Sequence, residues 1–214
     1  MTPQLKFFHT PATCSTAAHI VLEESGLPYE KILVKLWKSE EQEKYRVTTN
    51  SRGTVPALEV DGELLTENVA IMIYVASVSS ELCLLPQMHK AYAQCVSFLA
   101  WLASSVQLAR RQARAPQRFT SDESTFEALK AAAVPVLWKH MQAIDKRLAE
   151  KIWIMGDQYT IADAYALVFY NWGVIDERDV LSLTHFTAFK NRMIERPAVR
   201  RALEAERSAL VSNR

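Results

Sequence analysis

One change of pattern constrains this chain more than any other feature. Up to about residue 80, short β-prone runs alternate with helical ones, and past Pro86 strand candidates disappear. In the first part LKFF (5–8) reads as a strand. CSTAAHIVLEES then carries Ala18, Val21 and Leu22 at helical spacing before Gly26 stops the helix. EKILV (30–34) is a second strand, EEQEKYRVTT (40–49) a polar peripheral helix, and residues 55–65 a hairpin turned at Asp61-Gly62. ENVAIMIYVASV (67–78) is again helical. The order βαβ, then αββα, implies a small mixed sheet covered by helices.

The second part reads as helices only. Residues 89–115 keep apolar positions at helical spacing throughout. A second long helix is expected from Ser121 or Asp122 to Leu148, bent or ended early by Pro135, which removes a backbone donor. Residues 155–173 supply a third, with Thr160 as N-cap and Asp163 three residues on. Shorter helices are expected at 183–195 and 197–210, the last opening on Pro197, and only SNR at the end reads as frayed. The expected division is 1–80 as one domain, 81–87 as a linker and 88–214 as an all-helical domain.

Composition narrows the function classes. Across 214 residues, 25 Lys and Arg against 24 Asp and Glu leave a formal charge of +1, so the whole chain exerts no long-range pull on nucleic acid or anionic lipid. No long apolar run or secretion signal is evident, which makes the cytoplasm the expected location and excludes a membrane partner. Cys14, Cys83 and Cys95 are widely spaced and form no CxxC or CxxH pair, so neither a metal site nor a disulfide framework is expected.

Three stretches could carry chemistry. Cys14 follows the loop HTPAT and starts a helix, where unpaired amides favour an anion and should lower the thiol pKa. The plain alternative is a small buried hydrophobe, and that is the reading given to Cys83 and Cys95. Val55-Pro56 opens a strand, where an ordinary turn proline competes with a cis bond that would expose the Val55 backbone to an extended peptide. Thr66, Glu67 and Asn68 begin another helix: a cap by default, or a seat for a carboxylate beside an acceptor for an ammonium group. Together they suit a small ligand having a thiol and an amino acid end.

These residues resemble the cytosolic glutathione transferases, in the bacterial, beta-like branch. TPATCSTAAHIVLEESGLPYE resembles the first strand, loop and helix of that family, NSRGTVPALEVDGELLTENVAIMIY its glutathione-binding core, and GDQYTIADAYA the capping motif of its second domain. The resemblance implies an α/β thioredoxin-like N-terminal domain plus an all-α C-terminal domain, the glutathione transferase fold. It implies Cys14 as the catalytic cysteine, Val55 before a cis Pro56 as the partner of the cysteinyl backbone, and Glu67 with Asn68 as receivers of the γ-glutamyl end. Asn68 stands where many relatives have Ser, and Ser51 replaces a common Pro. Lys38 is a candidate for the glycyl carboxylate.

One departure concerns the sulfur itself. Beta-like enzymes present a histidine from the first long helix, whereas WLASSVQLARR (101–111) has none. Gln107 is the best positional match, with Arg110 close behind; glutamine cannot take a proton and arginine stays charged. Arg110, Arg111, Arg114 and Arg118 form a local basic run, either a solvated helix face or a wall for an anionic co-substrate. His19 reads as packed rather than catalytic, and Trp101, Trp138, Trp153 and Trp172 as anchors of the core or domain junction. The implied activity is conjugation of the glutathione thiolate to a small apolar electrophile by a homodimer, with glutathione as co-substrate and no permanent cofactor. Thiol-disulfide exchange or peroxide reduction through Cys14, and non-catalytic binding, are the alternatives.

Overall fold

Among the described residues all four strands of the sheet lie before residue 67. A computed structural model describes residues 2–211, and the expectation of a frayed end at 212–214 lies outside the described residues. The first half runs β1 (Leu5–His9), α1 (Ser15–Ser25), β2 (Tyr29–Leu33), α2 (Ser39–Thr48), β3 (Ala57–Val60), β4 (Glu63–Thr66) and α3 (Asn68–Val78). The sheet order is β2-β1-β3-β4, with β1 parallel to β2 and antiparallel to β3. Asp61 and Gly62 both take positive φ, 50° and 89°, the geometry a two-residue hairpin loop demands of its central pair.

Alternation along β1 serves both faces of the sheet. Leu5 and Phe7 enter the main core with α1 and α3, while Phe8 joins Val34, Tyr45 and Ala57 under α2. α1 ends where expected, on Gly26 at φ 67°.

The second half comprises α4 (His89–Trp101), α5 (Gln107–Arg114), α6 (Phe126–Leu148), α7 (Ile161–Ile175), α8 (Thr184–Glu195) and α9 (Pro197–Ala205). Between α4 and α5 the chain stays helical but widens into a π-helical segment, Leu102–Val106. α7 is apolar all round and forms the centre, burying Tyr165, Phe169, Tyr170 and Trp172. Each such side chain contributes roughly 1.5–3 kcal/mol by leaving water. Thr160 and Asp163 make the full capping box at its start.

Two expectations for α6 are corrected. The helix starts at Phe126 and not at Ser121 or Asp122, because Asp122 caps a short 3₁₀ turn (Glu123–Thr125) that leads into it. Of the two effects expected of Pro135, an early end is the one overturned, for α6 runs through it. Ala133, Leu137 and Met141 are buried on either side of it, so packing offsets the roughly 3 kcal/mol that a mid-helix proline costs. Among the described residues no helix is long and apolar enough to cross a membrane.

Candidate functional site

The loop between β1 and α1 is tied to itself before it presents Cys14. Ser15 Oγ and Thr13 Oγ1 donate to the Thr10 carbonyl at 2.8 and 2.7 Å, and Thr10 Oγ1 donates to the Val34 carbonyl. From the helical half, Trp172 Nε1 donates to the Ala12 carbonyl at 2.8 Å. The Cys14 thiol is left half-buried at the start of α1, donating to the Val55 carbonyl at 3.5 Å. The Val55-Pro56 bond is cis.

Two lobes of one cleft meet at this thiol. The first, about 280 Å³, is lined by Cys14, Val55, Pro56, Glu67 and Asn68 together with Arg52. Glu67 holds a left-handed backbone, φ 71°, between β4 and α3, a conformation that costs a β-carbon-bearing residue of the order of 1–3 kcal/mol and is concentrated at binding sites. Arg52 Nη1 lies 2.8 Å from Glu67 Oε1. Asn68 is 8% exposed, and neither its Oδ1 nor its Nδ2 has a hydrogen-bond partner. Such a group is costly unless something answers it.

The second lobe, about 260 Å³, shares Cys14, Val55 and Gln107 and adds Leu36, Trp172 and the arginines of α5. Tyr165, 1% exposed, donates its hydroxyl to Gln107 Oε1. The Gln107 oxygen is thereby occupied, which leaves the amide N–H groups to face the sulfur. Arg110 is turned away from that point. Its guanidinium grips Asp176 through two bonds of 3.0 Å and lies over the Trp172 ring, 4.2 Å from the centroid. Arg111, its neighbour, is the cation shared by both lobes.

The acidity expected of Cys14 is reversed. Burial pushes its thiol up to about 11 from the ordinary 9.0; the Gln107 amide, and after it the Arg111 charge, pull the other way without prevailing. Of the helix-start amides that should have favoured a thiolate, the Cys14 N–H still lowers the thiol, but less than Gln107 or Arg111, and the next three are spent. Ser15 N donates to Thr13 Oγ1, Thr16 N to the Thr13 carbonyl and Ala17 N to the Cys14 carbonyl. Cys14 is therefore a neutral S–H donor at neutral pH.

The cleft thus brings together Cys14, Val55, Pro56, Glu67, Asn68 and Gln107. Arg110 lines only the second lobe, and Lys38, exposed immediately before α2, lines neither. Sequence reasoning did not single out Arg52 or Tyr165, and it named Arg111 only as part of the basic run after Gln107. A helical signal existed for two of them: Arg111 is four residues from Gln107, and Tyr165 is seven residues before Trp172 on one face of α7. Away from the cleft, His9, His19 and Glu206 place donor atoms within 4.8 Å of one another. The Glu206 oxygens are already taken by Thr16 Oγ1 (2.7 Å), His19 Nδ1 (2.8 Å) and Ala12 N (3.3 Å), so the cluster reads as a hydrogen-bond hub beneath the Cys14 loop.

A thioredoxin-like sheet carrying a thiol at the first helix and a cis proline beside it, completed by an all-helical half that closes the cleft, defines a thiol-handling two-part fold. Comparison with known proteins makes that class specific. Residues 3–77 match the family model for the glutathione S-transferase N-terminal domain, and residues 108–197 that for the C-terminal domain. Glutathione S-transferase GstA of Escherichia coli O157:H7 is 35% identical over 206 residues, spanning 94% of this chain and 98% of that one. A bacterial beta-class glutathione S-transferase of Sphingomonas chungbukensis superposes with a TM-score of 0.83 at 32% identity, over 96% of this chain and all of that one. A Sulfitobacter glutathione transferase homologue, solved with bound glutathione, gives 0.88 at 29% identity, over 96% and 99%. The chain belongs to the glutathione S-transferase family, a family of transferases.

Proposed function

We propose that the protein binds glutathione in the first lobe and transfers its thiolate to a small electrophile with an apolar body held in the second. The observation that carries this reading is that Cys14, Val55, Glu67 and the unpartnered Asn68 amide line one cavity. An extended tripeptide can pair its cysteinyl backbone with that of Val55 as an added strand does. Its ammonium end then meets Glu67 and its α-carboxylate the Asn68 amide at the start of α3, where helix amides favour an anion. The Sulfitobacter homologue, solved with bound glutathione, supports glutathione as the ligand.

With the peptide so placed, its sulfur lies beside Cys14, Gln107 and Arg111. The thiol proton leaves to solvent, and the thiolate is held by the Gln107 amide, the Arg111 charge and the neutral Cys14 S–H. The thiolate attacks the electrophilic carbon; a C–S bond forms and the leaving group departs with its electron pair. Binding both reactants side by side supplies the orientation. A Cys14 thiol near 11 disfavours the exchange reading, because only the thiolate attacks a disulfide. Family membership supports a homodimer acting in the cytoplasm, with glutathione as co-substrate and no resident cofactor.

Initial rates with chlorodinitrobenzene, and calorimetry with glutathione, test this. Saturable turnover is expected, with Glu67→Ala raising KM for glutathione roughly tenfold, the worth of one charge-assisted contact. Absence of both glutathione binding at millimolar concentration and turnover of any electrophile would falsify it.

A further inference from the structure

The second lobe is more basic than an apolar co-substrate needs. Gln107, Arg110, Arg111 and Arg114 stand at positions i, i+3, i+4 and i+7 of α5, so they share one helix face, and Arg118 follows after the helix ends. All four arginines line the lobe, and no carboxylate does. Behind the wall, Asp176 takes Arg110 in its two-bond grip and reaches Arg114 at 3.4 Å. One carboxylate therefore serves two of the four cations. Among the described residues Arg111 and Arg118 have no acidic partner within 4.0 Å.

A solvated helix face would look different. Exposed basic helices generally carry acidic residues three or four positions away, and these relieve like-charge repulsion. Here the chain has no Asp or Glu anywhere between Glu81 and Asp122, while Arg110, Arg111, Arg114 and Arg118 all fall in that span. The apolar lining of the lobe comes from Leu36 and from Trp172, whose ring Arg110 covers on one side. Repulsion is thus concentrated at a concave surface beside the reacting sulfur, where a low-dielectric wall strengthens the field.

We infer that the second substrate is an anion: a small electrophile whose flat apolar body rests against Leu36 and Trp172 and whose carboxylate is received by Arg111 and Arg118. This deepens the proposed transferase function and rests on it for the chemistry, though not for the binding. In the matching reaction the glutathione sulfur attacks a ring carbon bearing chloride. The C–S bond forms, the C–Cl bond breaks, chloride leaves with the electron pair, and the thiol proton goes to solvent. The carboxylate is a handle that takes no part in the bond changes. Arginine suits it because its planar fork can receive both oxygens of a carboxylate.

The test has two arms on the purified full chain. In the first, calorimetry compares nitrobenzoate with its methyl ester, which has the same body without the charge. Binding of the acid at least about tenfold tighter is expected, weakening as salt is raised toward 1 M, where the screening length falls to roughly 3 Å. Arg118→Gln and Arg111→Gln should each weaken the acid about fivefold more than the ester. In the second arm, kcat/KM is measured for a chlorodinitrobenzoate and its methyl ester, each divided by its spontaneous rate with glutathione, and the acid should be favoured by a similar factor. Acid and ester bound within twofold of each other, or substitutions that weaken both equally, overturn the inference. If neither compound is conjugated, the transferase reading falls while the binding arm still decides whether this wall is an anion site.

Discussion

At the scale of single residues, the acidity of Cys14 is a contest between burial and the polar groups around the thiol. Burial raises it, the Gln107 amide lowers it and the Arg111 charge lowers it less. Removing a lowering contact must raise the pKa further. Gln107→Ala is therefore expected to move the Cys14 titration upward from about 11, by about half a unit to one unit, and Arg111→Gln in the same direction by less. Ultraviolet titration of the thiolate checks it against a Cys14→Ala control, and a downward shift in Gln107→Ala would contradict the assigned contact. The position of Cys14 was legible because a helix start is a local property of sequence. Its acidity was not, because burial comes from Val55, Gln107 and Tyr165, which lie far along the chain and converge only in the fold.

At the scale of elements, registers decide what faces what. The α4–α5 helix could be read from its apolar spacing, but its π-helical segment could not. Such a segment adds one residue to a turn and rotates everything after it by about one residue's step. Sequence reasoning placed Arg110 close behind Gln107 as a contact for the sulfur, whereas α5 gives Arg110 to Asp176 in the second lobe and Arg111 to the wall that both lobes share. The start of α7 was legible in full, because capping depends on residues three apart. Asp163 is wholly buried and accepts from Thr160 N and Ile154 N, both at 2.7 Å, and from Thr160 Oγ1. Asp163→Ala orphans two buried amides and should cost about 3 kcal/mol, while Thr160→Ala, which loses one capping acceptor, should cost about 1 kcal/mol. Urea unfolding ranks them, and equal effects would show that the cap rather than the buried carboxylate dominates.

At the scale of the whole molecule, the residue that ends α9 supports the loop that carries Cys14. Glu206, just beyond α9, accepts from Ala12, Thr16 and His19, and α1 packs against both α7 and α9. Nothing local in RALEAERS marks Glu206 as different from its exposed neighbour Glu204; only the closure of the two halves singles it out. Glu206→Ala should cost about 3 kcal/mol by leaving His19 and Thr16 without their buried acceptor, and should slow glutathione turnover by loosening the Cys14 loop. The same hub sets the response to acid. His9, 4% exposed and stacked on Phe7, is held neutral: burial lowers it to about 4 from 6.5, against the opposing pull of the Glu206 charge, while His19 and Lys31 add to the lowering. Between those two values the unfolded chain binds the proton and the folded one does not, so the stabilising effect is complete above pH 6.5 and is lost as pH falls toward 4. The slope is at most about 1.4 kcal/mol per pH unit. Wild type and His9→Asn, unfolded in urea at intervals across this range, share every other titrating group to a first approximation, so the difference between their curves isolates His9. That difference should be flat above pH 6.5 and change by up to about 3 kcal/mol on descending to 4, with wild type losing more. Parallel curves would mean that His9 takes up its proton within the fold, with Glu206 as its counter-ion.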